Sequence, residues 1–269
     1  MKTIYFFDVD NTLFSHANKK IMPQTLKLLK EIGVNKDNIL CIATGRSPRK
    51  LDVLDEIIDL VDYIVFLNGA IAVKNIKNNN DYEILDHNIL NNNYVKTIIE
   101  DAMAKQISCG VVSFEKEVFA LASETAFQDW YDFQKSKPLI QSDYHLSKDI
   151  YQVWLWDLTR EEIKKFMQPY KNDVDFFYWH HKGCDIVAKN LNKSSGIKTI
   201  LEALDKEQDY QLICIGDGHN DRSMINIADI SVAMGNSSDD VLKKEATLVA
   251  PHIDEDKLYD FFIDNNLLK

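Results

Sequence analysis

No two cysteines in this chain are spaced for a metal site or a disulfide framework. The four that occur, Cys41, Cys109, Cys184 and Cys214, lie far apart and mostly within apolar segments. Buried free thiols are therefore the expectation. Positive charge is also short, with 31 Lys plus Arg against 42 Asp plus Glu, a formal net charge of −11 with histidine neutral. Such a field disfavours nucleic acid as a partner, while leaving room for one basic pocket that holds a phosphate. Long apolar runs are missing as well. The N-terminal MKTIYFFDVDN breaks its short apolar run with two carboxylates, unlike a secretory leader, and no uninterrupted run elsewhere reaches membrane-spanning length. The expectation is a soluble, cytoplasmic protein that uses no membrane and no obligate protein partner. Neither an internal repeat nor a heptad array is visible.

What is present is enough apolar material for a sizeable core and for two domains: 269 residues, 45% of them hydrophobic. Thr3–Phe7 reads as a strand that ends in the polar segment Asp8–Thr12. Pro23 opens a helical pattern with Leu26, Leu29 and Ile32 on one face and Gly33 as its stop. Ile39–Ala43 is the next strand and runs into Thr44, Gly45 and Arg46. Pro48–Leu60 reads as a helix, and Tyr63–Leu67 as a third strand before Asn68 and Gly69. Strands alternating with helices predict a mostly parallel sheet covered on both faces, with ligands beyond the strands' C-terminal ends.

After Val73 the pattern changes. The Asn-rich run Lys74–Asp81 reads as a turn or exposed linker. Residues 82–189 fit a second, α+β unit: a helix over Tyr94–Lys105, a hairpin over Cys109–Ala122, a strand at Ile150–Asp157, a helix at Glu161–Gln168, and strands at Val174–Tyr178 and Cys184–Ala188. From Ser195 the α/β alternation resumes, with strands at Gln211–Ile215 and Ile230–Ala233 and a closing helix over Lys257–Leu267. The middle unit is thus expected to be inserted into a sheet domain built from residues 1–81 and 190–269.

Four separated segments share one kind of place, at the end of an apolar strand or the start of the next helix: Asp8-Val-Asp-Asn-Thr12, Thr44-Gly45-Arg46, Lys193, and Gly216-Asp-Gly-His-Asn220-Asp221. If the first and fourth strands are neighbours, Asp8, Asp10, Asp217 and Asp221 surround one small volume. Clustered carboxylates repel unless a cation or protons neutralise them, and oxygen-rich ligation fits Mg2+ better than zinc. Asp8, nearest the rigid strand, is assigned as the nucleophile that becomes an acyl phosphate, and Asp10 as the group that protonates the leaving oxygen and later activates water. Thr44 and Lys193 are expected to contact the phosphate. Arg46 either binds phosphate or anchors its loop on a core carboxylate, the latter being preferred. His219, flanked by the motif's carboxylates, is expected to be an exposed loop residue.

Together these segments resemble the haloacid dehalogenase-like hydrolase superfamily, and more narrowly its Cof-like branch of cytosolic phosphatases. Asp8-Val-Asp-Asn-Thr-Leu13 is similar to the nucleophile motif, Thr44-Gly45-Arg46 to the phosphate-binding motif, Lys193 to the motif lysine, and Gly216–Asp221 to the metal motif. The resemblance spans nearly the whole chain. It implies a Rossmann-like parallel-sheet core, a mobile C2-type α+β cap at the position of residues 82–189, Mg2+, and phosphate-monoester substrates. It also places Asn68, in an Asn-Gly pair after the third strand, near the active cleft. Two departures stand out. Asn11 occupies a position where this branch commonly has Gly, and Ser194 follows the lysine where Gly is common; neither removes a charged role.

The expected partner is a small phosphorylated metabolite: a sugar phosphate, a nucleotide or a phosphorylated cofactor. The same intermediate serves a phosphotransferase or phosphomutase, and a non-catalytic metabolite-binding protein is the third reading. In the inserted unit, His180, His181 and Lys182 are candidates for substrate contact or for a solvated turn. Trp154 and Trp156 share one strand face, where packing against helices is the preferred reading.

Overall fold

In the computed structural model, residues 2–77, 81–134, 137–204 and 208–268 are described. The strand β1 (Lys2–Phe7) is buried from Thr3 to its end. A strand so apolar on both faces belongs in the middle of a sheet covered twice. It is followed by a small hairpin, β2 (Phe14–Ser15) and β3 (Lys20–Ile21), then α1 (Pro23–Val34), β4 (Asn38–Ala43), β5 (Tyr63–Phe66), β6 (Ile71–Ile76) and β7 (Asp81–His87). An intervening segment holds α2 (Asn92–Ala104), β8 (Ser108–Val112), β9 (Glu117–Leu121), α3 (Glu124–Gln134), β10 (Gln152–Trp156), α4 (Arg160–Met167), β11 (Val174–His180) and β12 (Gly183–Ala188). The chain then returns through α5 (Lys193–Ala203), β13 (Tyr210–Gly216), α6 (Arg222–Ile225), β14 (Ile230–Ala233), α7 (Asp240–Glu245), β15 (Leu248–Val249) and α8 (Leu258–Asp264).

Among the described residues eight strands form one sheet in the order β15-β14-β13-β1-β4-β5-β6-β7. Pairing is parallel from β15 to β5. It turns antiparallel at β6 and β7. The four residues between β5 and β6 are too few for a crossover, so only an antiparallel neighbour can follow. One face buries Ile4, Phe6 and Cys214 with Ile197 and Ile200 of α5 and Met224 of α6. On the other, Phe7 stacks with Phe262 of α8 at 6.0 Å, and the Tyr5 hydroxyl donates to the Leu267 carbonyl at 2.7 Å. The order of strands reverses at β1, between β13 and β4, which is where an open α/β sheet makes a ligand crevice.

The chain divides into two compact units, Met1–Arg46 with Lys50–His87 and Asn192–Lys269, and Ser47–Arg49 with Asn88–Leu191. In the second unit five described strands form an antiparallel sheet, β11-β12-β10-β8-β9. Its apolar face packs Val153, Leu155, Val111 and Ile186 against Val95, Ile98 and Ile99 of α2 and Ile163 of α4. On its opposite face Trp154 stacks on Trp130 of α3 at 5.4 Å and meets the edge of Phe119 at 4.3 Å. That ring leaves no space at Gly110, where a Cβ would come within 2.1 Å of Trp154 Cζ2. The fold is thus an α/β Rossmann-like core with a mixed sheet plus a separate inserted sheet unit.

Three expectations change. Pro48–Leu60 is not an α-helix but three short 3₁₀ turns, Pro48–Lys50, Asp52–Leu54 and Ile58–Leu60. Its buried residues Leu51, Leu54 and Ile57 recur every three positions, a spacing the three-residue 3₁₀ turn accommodates. The segment expected to be a linker carries the end of β6 and the start of β7, while 78–80 lie outside the described residues. Tyr82, where the inserted unit was expected to begin, pairs with Asn75 inside the eight-stranded sheet. No helix among the described residues is long and apolar enough to cross a membrane.

Candidate active site

Asp8 follows the last residue of β1, and its N–H donates to the Ile215 carbonyl of β13 at 2.9 Å, so the backbone bearing it is tied to the sheet. Lys193 is the first residue of α5, and the Asn192 side chain that caps the helix fixes where it starts. The lysine is fully buried and its Nζ donates to Asp8 Oδ1 and to Asp221 Oδ1, each at 2.6 Å. The other oxygen of Asp221 accepts the N–H groups of Asp217 and Gly218 at 2.9 and 2.8 Å. Asp221 therefore orients the lysine and closes its own loop. Gly216 makes this possible, because a Cβ there would lie 2.5 Å from the Asp221 carboxylate carbon.

Asp8, Asp217 and Asp221 offer carboxylate oxygens within 4.8 Å of one another. Three carboxylates face one ammonium, so negative charge is in surplus. Burial, reinforced by Asp221 and Asp10 and opposed by Lys193, pushes the Asp8 carboxyl up to about 7. Burial together with Asp8 and Asp221 pushes Asp217 up to about 9. Burial works against the charge on Lys193, but Asp221 and Asp8 outweigh it and hold the ammonium above its usual value. A cation among these oxygens relieves the repulsion, and an all-oxygen donor set without His or Cys suits a hard divalent ion. The cluster is suitable for a divalent metal.

Asp10 is not one of the three whose oxygens lie within 4.8 Å of one another, although its charge bears on Asp8 and Asp217. The sequence counted it among the metal carboxylates, yet Arg46 takes both its oxygens, Nε to Oδ2 at 2.9 Å and Nη2 to Oδ1 at 2.8 Å, and His16 Nε2 donates to Oδ1 at 2.7 Å. Burial pushes this carboxyl up, but the hydrogen bonds from His16 and Arg46 prevail and hold it well below the usual carboxylate range. Arg46 thus ties its loop to the half-buried Asp10 carboxylate. Its backbone N–H donates to Thr44 Oγ1 at 3.0 Å, which uses the hydroxyl as an acceptor. Asn11 sits at φ 59°, a left-handed turn that asparagine tolerates in place of glycine. Asn220 Nδ2 donates to Asn68 Oδ1 at 2.9 Å.

Two further groups had no sequence signal. His16 reaches Asp10 only because the β2–β3 hairpin folds back, and Asn236 donates to the Asn11 carbonyl at 2.8 Å from the loop after β14. Beside Asp217 is a polar cleft of about 340 Å³, lined also by Asn11, His16, Asn236, Ser238 and His252. His219 is exposed, as expected. Of the trio in the inserted unit, His181 and Lys182 lie in the exposed or half-exposed turn between β11 and β12, and Lys182 pairs with Asp157 at 3.3 Å. The side chain of His180 lies outside the described residues.

A family profile described as haloacid dehalogenase-like hydrolase matches residues 5–262. YkrA of Bacillus subtilis (strain 168) is 25% identical over 256 residues, covering 94% of this chain and 93% of YkrA. The phosphoglycolate phosphatase of Nitrosopumilus maritimus (strain SCM1) is 25% identical over 255 residues, covering 92% of this chain and 89% of that one. Among solved structures, the subclass IIB sugar phosphatase BT4131 is similar with a TM-score of 0.85 and 26% identity, over 99% of this chain and 100% of that chain.

Proposed function

The chain belongs to the haloacid dehalogenase-like hydrolase family, and from that premise we propose that it is a Mg2+-dependent phosphatase of small phosphate monoesters working through an aspartyl phosphate on Asp8. The observation that carries this reading is the buried Lys193 ammonium bridging Asp8 and Asp221, with the Asp217 carboxyl close enough to share a cation with them.

Lys193 engages Oδ1 of Asp8, so Oδ2 is the oxygen assigned to attack. That oxygen attacks phosphorus, forming the O–P bond of the intermediate while the leaving oxygen departs with a proton from Asp10. Water then attacks the same phosphorus, gives its proton to Asp10, and the bond to Asp8 breaks. Arg46 and His16 hold Asp10 as the carboxylate, the form that enters the second half ready to accept a proton; in the first half the negative substrate raises its proton affinity. Lys193 and the Thr44–Gly45 segment stabilise the transferring oxygens. Asp8, Asp217 and Asp221 would hold Mg2+, which supplies the positive charge that lets one anion approach another.

The reading extends to a Cof-like protein with a C2-type cap formed by the inserted unit, which the similarity to a subclass IIB sugar phosphatase supports. The cleft beside Asp217, lined by amide, hydroxyl, imidazole and carboxylate groups, suits a hydroxylated leaving group such as a sugar. Buried free cysteines support the cytoplasmic setting. The test is phosphate release from a panel of phosphorylated metabolites, ranked by kcat/KM with Mg2+ and with chelator. Asp8→Asn should lower kcat by about 10⁴-fold or more. Full activity in that variant, or turnover indifferent to chelation, overturns the mechanism, and transfer to a second hydroxyl with little free phosphate selects a phosphotransferase.

A further inference from the structure

The chain leaves β5 through a turn that ordinary residues avoid. Leu67, Asn68 and Gly69 have φ of 50°, 55° and 110°. Asparagine accepts the left-handed region, whereas leucine there is strained, and such strain persists only where the surroundings hold it. Three neighbours do. The N–H groups of Leu67 and Asn68 donate to the carbonyls of Arg46 and Thr44 at 3.1 and 3.0 Å. Gly69 lies so close to Asn192, which precedes Lys193, that a Cβ would come within 2.1 Å of its carbonyl oxygen. Asn68 Oδ1 accepts from Asn220 in the loop that carries Asp217 and Asp221.

One turn thus touches the segments that carry Thr44, Lys193 and the Asp217–Asp221 loop. Asn68 follows β5 and Asn220 follows β13, strands separated in the sheet by β1 and β4. The hydrogen bond between their side-chain amides ties together loops that follow strands roughly 14 Å apart in the sheet, across the ends of the strands that carry Asp8 and Thr44. Asn220 is shaped for this reach, since its Oδ1 folds over Gly218 where a Cβ would stand 2.7 Å away. Asn68 is itself 2% exposed, so water does not compete for its bond.

We propose that Asn68 is a positioning residue which, through Asn220, fixes the Asp217–Asp221 loop and so sets the carboxylate geometry that a divalent cation requires. Its consequence for turnover rests on the phosphatase reading; its consequence for cation binding does not. The test is a double-mutant cycle with Mg2+ alone as the probe, read as the Mg2+ dependence of thermal melting for wild type, Asn68→Gly, Asn220→Ala and the pair together. Glycine accepts the same backbone angles, so Asn68→Gly removes the side chain without adding strain. Each single change should weaken Mg2+ affinity by about tenfold or more, as losing a group that orients a ligand does. The double change should cost no more than either single one. Asn68→Asp, which keeps the acceptor oxygen and tolerates the turn, should restore affinity and stands in should the glycine variant not fold. Mg2+ affinity of Asn68→Gly within about twofold of wild type, or losses that multiply in the double variant, overturn the proposal. A wild-type protein that binds Mg2+ yet hydrolyses no ester on the panel would sink the phosphatase reading and leave this cycle decisive on Asn68.

Discussion

Lys193 has no exposed surface and answers to two carboxylates at once. Removing one member of a buried ionic group strands the others, at a cost of about 3–5 kcal/mol. Lys193→Met, which keeps the length of the side chain, should therefore lower the urea midpoint markedly as well as abolish turnover, and an unchanged midpoint would show that the carboxylates simply take up protons. A second ion pair gives a prediction in pH. Arg222 donates to both oxygens of Asp239, which also accepts the N–H groups of Val241 and Leu242 at the start of α7. The Arg222 hydrogen bonds, with the helix N–H groups, bring the Asp239 carboxyl from the ordinary 3.8 down to about 2. A depressed carboxylate stabilises the fold fully above its ordinary value and loses that contribution as pH falls through the folded value. Asp239→Asn keeps the cap and deletes the charge, so wild type should exceed it in stability above pH 3.8 and the gap should close by about 2. Solvent around Arg222 screens the pair, so the gap is about 1 kcal/mol or less, and a gap constant across that window rejects the assignment.

At the scale of elements, the start of α5 decides where the ammonium sits. Asn192 and Ser195 form a reciprocal capping box, and Lys193 is the first helical residue. Asn192→Ala should cost about 1 kcal/mol of stability, while Asn192→Ser, an equally good cap, should not. Gly69→Ala attacks the same point from the other side, since the new Cβ would collide with the Asn192 carbonyl. Circular-dichroism melts and kcat/KM on these three variants check whether cap and turnover fall together; loss of stability without loss of turnover would separate the cap from the site. The strands that carry the site were legible because each is a short apolar run ending in a polar residue, as in Ile4–Phe7 before Asp8 and Leu212–Ile215 before Gly216. Pro48–Leu60 was not, because a three-residue apolar spacing serves both kinds of helix until hydrogen bonding selects one. Neither was the β6–β7 hairpin, whose polar outer face reads as a linker when its pairing to β5 is unknown.

The whole molecule is two units with separate cores, one around the eight-stranded sheet and one around the antiparallel sheet of the inserted segment. The inserted segment leaves and re-enters the chain at His87–Asn88 and Leu191–Asn192. Its α2 and α4 cover an apolar sheet face of its own. A protein of residues 88–191 alone should accordingly melt cooperatively and give a dispersed amide spectrum; a chain that stays disordered would mean its core depends on the rest.

Local sequence determined which residues carry charge and where strands end, because burial pattern and polar punctuation are properties of a few neighbouring residues. It placed Asp8, Thr44, Lys193, Asp217 and Asp221 at strand ends or helix starts before any coordinates. Only the tertiary structure decided which groups meet: that Asp10 is gripped by Arg46 and His16, that Asp221 serves Lys193, and that Asn68 clasps Asn220. These bonds join residues as many as 152 positions apart, and the order of strands in the sheet, not any local preference, brings them within reach.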